Sequence, residues 1–72
     1  MSTAQINAVR QLQRAITACG KVGLMGGIYS GVVCVWPEGH DPYTGPGSFF
    51  EEVEKVGETF KPKMKMDGGC GV

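Results

Sequence analysis

The chain has few of the features on which export, membrane insertion and disulfide folds depend. Its longest apolar run, VVCVW, covers only positions 32–36, whereas a membrane-spanning helix needs roughly 20 apolar residues. The N-terminal residues lack the basic start and apolar stretch of an export signal. Three cysteines, an odd number, do not suit a closed disulfide framework. We therefore expect a cytoplasmic protein in a reducing compartment, with no membrane span.

Residues for acid–base or metal chemistry are also scarce. His40 is the only histidine, and no paired carboxylates are spaced for acid–base work, so we predict no enzyme. Cys19, Cys34, Cys70 and His40 are zinc-ligand types, but no two of them form a close C-x2-C pair. Free cysteine is commonly buried as a small apolar residue. We predict no metal and no cofactor, although the sequence leaves metal binding by these four residues open.

Charge is sparse and unevenly distributed. Charged residues make up 19% of the chain, and the net charge is zero. Positions 1–37 contain three basic residues and no acid, whereas positions 38–59 contain six acids and one lysine. Such poles either steer a charged partner or attract one another within the fold. The six acids are Glu38, Asp41, Glu51, Glu52, Glu54 and Glu58.

The first part of the chain predicts a helix from Ser2 to Gly20. The segment Ser2–Gln5 fits a capping box, in which a serine hydroxyl and a glutamine side chain satisfy each other's free backbone amides. Gly20 is predicted to end the helix, because glycine adopts the left-handed conformation there at low cost. Apolar residues recur at three- and four-residue steps and form one stripe. The stripe consists of Ile6, Val9, Leu12, Ile16 and Cys19.

Positions 21–37 predict a β-hairpin. If Ser30-Gly31 is the turn, Tyr29 pairs with Val32 and the register continues outward to Met25 and Trp36. Both faces of the hairpin are then apolar, so one is expected to cover the first helix and the other must be covered by something else. One face holds Leu24, Gly26, Ile28, Val33 and Val35, and the other holds Met25, Gly27, Tyr29, Val32, Cys34 and Trp36.

The second half predicts a loop, a helix and an edge strand. Prolines and glycines make 37–47 a loop, Ser48 opens a helix through a second capping box with Glu51, and Gly57 ends it. Apolar residues alternate with lysines over 60–66, and Pro62 confines that strand to a sheet edge. We therefore predict one α+β domain at 1–66 in the order α-β-β-α-β, with a three-stranded, mostly antiparallel sheet, and a flexible tail at 67–72.

The remaining aromatic and acidic residues predict a protein-binding surface. A core this small does not obviously need so many aromatic side chains, and tryptophan and tyrosine are enriched at interfaces. The loop residues His40 and Asp41 have no structural role that the sequence reveals, and the acidic helix could occupy a basic site. The predicted partner-binding residues are Tyr29, Trp36, His40, Asp41, Tyr43, Glu51, Glu52 and Glu54.

The alanine-rich first helix, the glycine-rich hairpin GLMGGIYSGVVCVW and the capped acidic helix have the size and texture of a particular class of proteins. Together they resemble small accessory proteins of phages and mobile elements, among them anti-CRISPR proteins. The resemblance implies a non-enzymatic binding protein that inhibits a host defence complex by occupying a surface of it. We also expect a homodimer, because a small core gains stability from association.

Two other functions are compatible with the sequence. The first is an oligomeric protein that holds an anionic metabolite or signalling nucleotide, with Lys61, Lys63 and Lys65 as candidate anion contacts. The second is a nucleic-acid-binding accessory protein. Nucleic-acid-binding domains usually carry a clear basic excess, and a chain of zero net charge does not.

Overall fold

The computed structural model describes residues 1–66, so the predicted tail at 67–72 lies outside the described residues. The chain forms helix α1 (Thr3–Lys21), strands β1 (Leu24–Tyr29) and β2 (Val32–Pro37), helix α2 (Phe49–Val56) and strand β3 (Glu58–Phe60). The sheet has the order β1-β2-β3, and both neighbouring pairs are antiparallel. The predicted α+β fold and its element order are therefore confirmed.

The hairpin has the predicted register. Tyr29 pairs with Val32, and the ladder extends through Met25 and Trp36. The turn residues Ser30 and Gly31 have φ angles of 52° and 77°. Both angles are positive, as the two central residues of a type I′ turn require. This two-residue turn fixes which side chains share a face of the sheet.

Both predicted capping boxes form. The Ser2 hydroxyl accepts a hydrogen bond from the Gln5 amide, and the Ser2 amide donates to Gln5 Oε1 at 2.8 Å. At its other end, α1 continues through Gly20 to Lys21, so the end predicted at Gly20 is wrong. The left-handed residue is Gly23, with φ of 77°, and the chain turns there into β1.

The core lies on one face of the sheet, under α2. Its buried apolar residues are Cys34 and Trp36 from β2 and Val53 from α2. Gly57, which ends α2, lies so close to β2 that an added Cβ would overlap the Val35 carbonyl oxygen. Partly buried residues pack around this core: Tyr29, Val32, Phe49 and Phe50.

α1 does not contribute to this core. It contacts only β1, and none of its residues is buried. Ile16 remains 63% exposed and Leu12 remains 49% exposed. The expectation that a sheet face buries this helix is therefore wrong within a single copy of the chain.

The last strand is shorter than predicted and begins earlier. It covers Glu58–Phe60 instead of 60–66, since Pro62 has no N–H to donate to a ladder. Residues 61–66 nevertheless keep their alternation, because the lysines are exposed while Pro62, Met64 and Met66 line a groove.

That apolar groove has a volume of about 620 Å³ and runs between α1 and the sheet face that α2 leaves open. No charged side chain lines it. Its lining residues are Leu12, Ala15, Ile16, Cys19, Gly20, Leu24, Met25, Gly26, Gly27, Ile28, Val33, Val35, Phe60, Pro62, Met64 and Met66. Over residues 1–66, no helix combines the length and the apolar character needed to cross a bilayer.

Candidate protein-binding surface

The loop between β2 and α2 is fixed by short-range hydrogen bonds. Asp41 Oδ1 accepts from the Tyr43 amide at 2.9 Å, and the Asp41 carbonyl accepts from the Thr44 hydroxyl at 3.2 Å. The first of these bonds closes an Asx turn, a local turn that aspartate favours. Pro42, between the two bonded residues, is fully buried. Asp41 thus holds the backbone of Tyr43 in one conformation.

The Tyr43 ring is presented on other aromatic rings. Its centroid lies 5.0 Å from that of Phe49 and 6.2 Å from that of Tyr29. Phe49 in turn packs at 4.3 Å on Tyr29 and at 5.7 Å on Trp36. Because aromatic pairs at these separations contribute about 0.5–1.5 kcal/mol beyond their buried area, the cluster supports Tyr43 from below. Tyr43 itself remains 62% exposed.

Glu52 connects the loop to α2. Its Oε2 accepts hydrogen bonds from Lys55 Nζ at 2.6 Å and from the Gly47 amide at 3.3 Å. The Lys55 hydrogen bond lowers the Glu52 pKa, and this effect outweighs desolvation, which acts in the opposite direction. Gly45 has no side chain at a point where a Cβ would overlap the Glu52 carboxylate. Glu52 is 5% exposed and acts as a structural tie.

The solvent side of α2 carries acids that are not neutralised in this way. Glu51 is exposed and accepts from the Ser48 amide at 3.3 Å, which leaves most of its charge facing solvent. The side chain of Glu54, three residues later on the same face, makes no hydrogen bond or ion pair among residues 1–66. Within 38–59, Lys55 offsets Glu52, so the five net negative charges reside on exposed side chains: Glu38, Asp41, Glu51, Glu54 and Glu58.

The structure therefore divides the predicted site residues. Asp41, Tyr43, Glu51 and Glu54 are exposed around the loop and the solvent side of α2, and we call them the acidic-aromatic surface. Tyr29 is partly buried beneath Tyr43. The side chains of Trp36 and Glu52 are buried, and a partner could not reach them without rearrangement.

His40 lies at the edge of this region. It is half-buried, and its Nε2 is sealed from solvent without a hydrogen-bond partner in the part of the chain described. The ring nitrogen therefore does not face the acidic-aromatic surface. The three candidate anion contacts, Lys61, Lys63 and Lys65, are exposed on the segment that follows β3.

The cysteines differ in their surroundings. Cys34 is completely buried, and burial, followed by the nearby charge of Glu54, raises the pKa of its thiol. Cys19 is exposed and lines the apolar groove, while Cys70 lies outside the described residues. Between residues 1 and 66, no group of three or more His, Cys, Asp and Glu side chains is positioned to hold a metal ion.

Sequence reasoning missed the apolar groove. The stripe on α1 and the two apolar faces of the hairpin were visible signals, but the simplest interpretation was that each covers another within one chain.

No family model, no curated protein and no solved structure matches this chain.

Proposed function

We propose that the chain is a small, non-enzymatic binding protein that acts by occupying a basic surface of another protein. The observation that carries this proposal is the presentation of Tyr43, which is 62% exposed although its backbone and ring are both held in place. A rigid exposed tyrosine makes an effective anchor, because little conformational entropy is lost when it is buried by a partner.

The acidic residues around Tyr43 indicate that the proposed partner carries a basic surface. Glu51 and Glu54 lie on one side of α2, and Asp41 lies two residues before Tyr43. Acidic side chains attract a basic surface over a distance and raise the rate of association. Nucleic-acid-binding surfaces of host defence complexes have this basic character, and occupying one would block it. Such a target also agrees with the resemblance to phage-encoded inhibitors.

Three groups that could perform chemistry are buried or bonded in this fold. His40 Nε2 faces the interior, Glu52 is tied to Lys55, and the thiol of Cys34 is buried. Nucleophilic or acid–base catalysis needs an accessible group with a suitable pKa. These placements favour a binding protein over an enzyme.

The small-ligand alternative has less support. An anionic metabolite or nucleotide would need cationic or amide groups at its site, and the apolar groove has no charged lining residue. Arg10, Arg14 and Lys21 do line a depression, but all of its lining residues belong to α1, so no second element encloses it. Lys61, Lys63 and Lys65 are exposed and do not line the groove; the residues that alternate with them do, namely Pro62, Met64 and Met66. The alternative would be revived by a nucleotide that raises the melting temperature of the protein.

The binding proposal can be tested with four versions of the tagged protein: wild type, Tyr43→Ala, Glu54→Gln and Gln13→Lys. Each is used to capture proteins from a lysate of a bacterial host. Glu54→Gln and Gln13→Lys change the net charge equally, but Gln13 lies on the polar side of α1. We expect a partner that binds wild type and Gln13→Lys, binds Tyr43→Ala at least about tenfold more weakly, and associates more slowly with Glu54→Gln.

Ionic strength gives a second readout of the same complex. Raising salt from about 0.05 M to about 0.5 M should slow association, since it screens the attraction between exposed charges. A captured protein whose binding ignores both salt and Tyr43→Ala would show that the acidic-aromatic surface is not the binding site.

A further inference from the structure

The apolar groove lies away from the acidic-aromatic surface and has no occupant within the described chain. The core of Cys34, Trp36 and Val53 sits on the opposite face of the sheet, under α2. On the open face, by contrast, large apolar side chains remain exposed: Phe60 is 54% exposed and Met64 is 60% exposed. Contiguous exposed apolar patches of this kind mark interaction sites, because isolated soluble domains rarely keep them.

α1 has the same need for a covering surface. It has 19 residues and buries none of them, whereas most of the stability of a helix in a protein comes from the packing of its amphipathic face. The helix must therefore gain its stability from an apolar surface that covers its stripe. Within one copy of residues 1–66, β1 is the only helix or strand that α1 contacts, and it covers the stripe only in part.

The two halves of α1 are placed differently. Leu12, Ile16 and Cys19, in the C-terminal half, line the groove of their own chain. Ile6 and Val9 continue the same stripe but do not line the groove, and they remain 37% and 47% exposed. The N-terminal half of α1 thus carries an apolar stripe beyond the sheet. A two-fold axis would bring that half into the groove of a second copy.

We propose that two copies of this chain associate through the apolar groove, with the N-terminal half of each α1 covering the groove of the other copy. The geometry is self-complementary, as a two-fold interface requires. Arg10, Arg14 and Lys21 share the polar side of α1 and would stay in solvent when the stripe is covered. An uncharged groove offers no attraction to a charged partner, whereas uncharged apolar interfaces are typical of obligate homodimers.

The available area is sufficient for such a dimer. Seven large apolar side chains of the groove and the stripe are between 37% and 63% exposed. Together they leave on the order of several hundred Å² exposed, comparable with the about 800 Å² that each partner buries in a standard interface. The seven are Ile6, Val9, Leu12, Ile16, Met25, Phe60 and Met64.

The molecular mass in solution tests the proposal. Light scattering coupled to size exclusion should give twice the 7.7 kDa of one chain. Val9→Asp is the decisive variant, because Val9 contacts neither the core nor the groove of its own copy. It should weaken the dimer at least about 100-fold, since an unpaired carboxylate would be buried. Thr17→Asp places the same charge on the polar side of α1 and should leave the dimer intact.

Ile16→Asp is a second interface variant, within the groove. Circular dichroism and Trp36 fluorescence verify that each variant is folded. A wild-type mass of 7.7 kDa at every concentration would overturn the proposal, even if the groove then bound a different protein. A dimer that survives both Val9→Asp and Ile16→Asp would overturn it as well, and so would a mass greater than two copies. None of these outcomes bears on Tyr43, so this proposal and the binding function succeed or fail separately.

Discussion

Glu52 fastens the loop to α2 by accepting from the Gly47 amide, and its carboxylate is held in place by Lys55 of the same helix. Its folded-state pKa lies below its ordinary value of 4.5, chiefly because of the Lys55 hydrogen bond. A lowered pKa contributes stability above the unfolded-state value, and that contribution is lost as the pH falls through the folded-state value. The contribution of Glu52 is thus complete near neutral pH and disappears in acid.

We therefore expect Glu52→Gln to be less stable than wild type at pH 7 and to differ less from it as the pH falls below about 4.5. Urea denaturation at a series of pH values measures the free energy of unfolding of both proteins. Glu54→Gln, on the exposed side of the same helix, is the control and should follow wild type. A constant difference between Glu52→Gln and wild type at all pH values would contradict the assignment.

Gly57 is the residue whose missing side chain matters most to packing. A Cβ there would overlap the Val35 carbonyl oxygen and approach Trp36 Cα to 2.9 Å. We expect Gly57→Ala to lower the free energy of unfolding by about 3 kcal/mol, as in other overpacked sites, because the obstacle is backbone and cannot rotate away. Denaturant titration would measure this, with Glu58→Ala at the next, exposed position as the control. A loss no larger than the control's would show that α2 and β2 can separate at little cost.

Among the elements, α2 is the short helix whose stability depends on its N-cap, Ser48. The Ser48 hydroxyl accepts from the Glu51 amide at 3.2 Å, and this eight-residue helix supplies the buried Val53. Removing such a cap costs about 1 kcal/mol, whereas asparagine can replace it. Ser48→Ala should therefore lower the melting temperature, and Ser48→Asn should restore it. Equal melting temperatures for all three proteins would mean that Ser48 does not cap the helix in solution.

The elements also show what the sequence can and cannot predict. The hairpin register follows from Ser30-Gly31 alone, because a two-residue turn leaves one pairing, and both capping boxes follow from local spacing. The end of α1 does not, since Gly20 and Gly23 are equally suitable by type and only the second has a positive φ. The register and the capping boxes depend on residues close together in the sequence, so they could be predicted. Which of two glycines ends α1 depends on how the helix packs on the rest of the fold, so it could not.

The same distinction applies to the candidate site. Tyr43 and Glu54 could be selected as exposed by residue type, and the structure does expose them. Trp36 has the same aromatic character but is 4% exposed, because the α2 residues Phe49 and Phe50 close over its side of the sheet. Sequence periodicity assigns a residue to a face but does not say which element covers that face.

At the scale of the whole molecule, one copy is flat and extended. It measures 46 × 28 × 14 Å, and its radius of gyration is 13.7 Å, against about 11 Å for a compact domain of this length. The excess agrees with an α1 that contacts only β1. A second copy would fill the space beneath α1 and make the assembly more compact relative to its mass.

Hydrogen exchange can follow this difference along the chain. In the proposed wild-type dimer we expect amides of α1 to be protected nearly as well as those of β2. In the Val9→Asp monomer, α1 should exchange much faster while β2 keeps its protection, because local opening of α1 no longer exposes buried surface. The Thr17→Asp variant should match wild type. Fast exchange of α1 in all three proteins would indicate that the helix is uncovered in every state.

The position of Trp36 has a practical consequence for any such measurement. It is the only tryptophan, and it packs at a right angle to Phe49 under α2, while no aromatic residue precedes Tyr29. Tryptophan fluorescence therefore reports on the α2 side of the sheet and does not detect the state of α1. Far-ultraviolet circular dichroism detects both helices, α1 and α2. An unfolding curve recorded on Trp36 alone would score a molecule with a melted first helix as fully native.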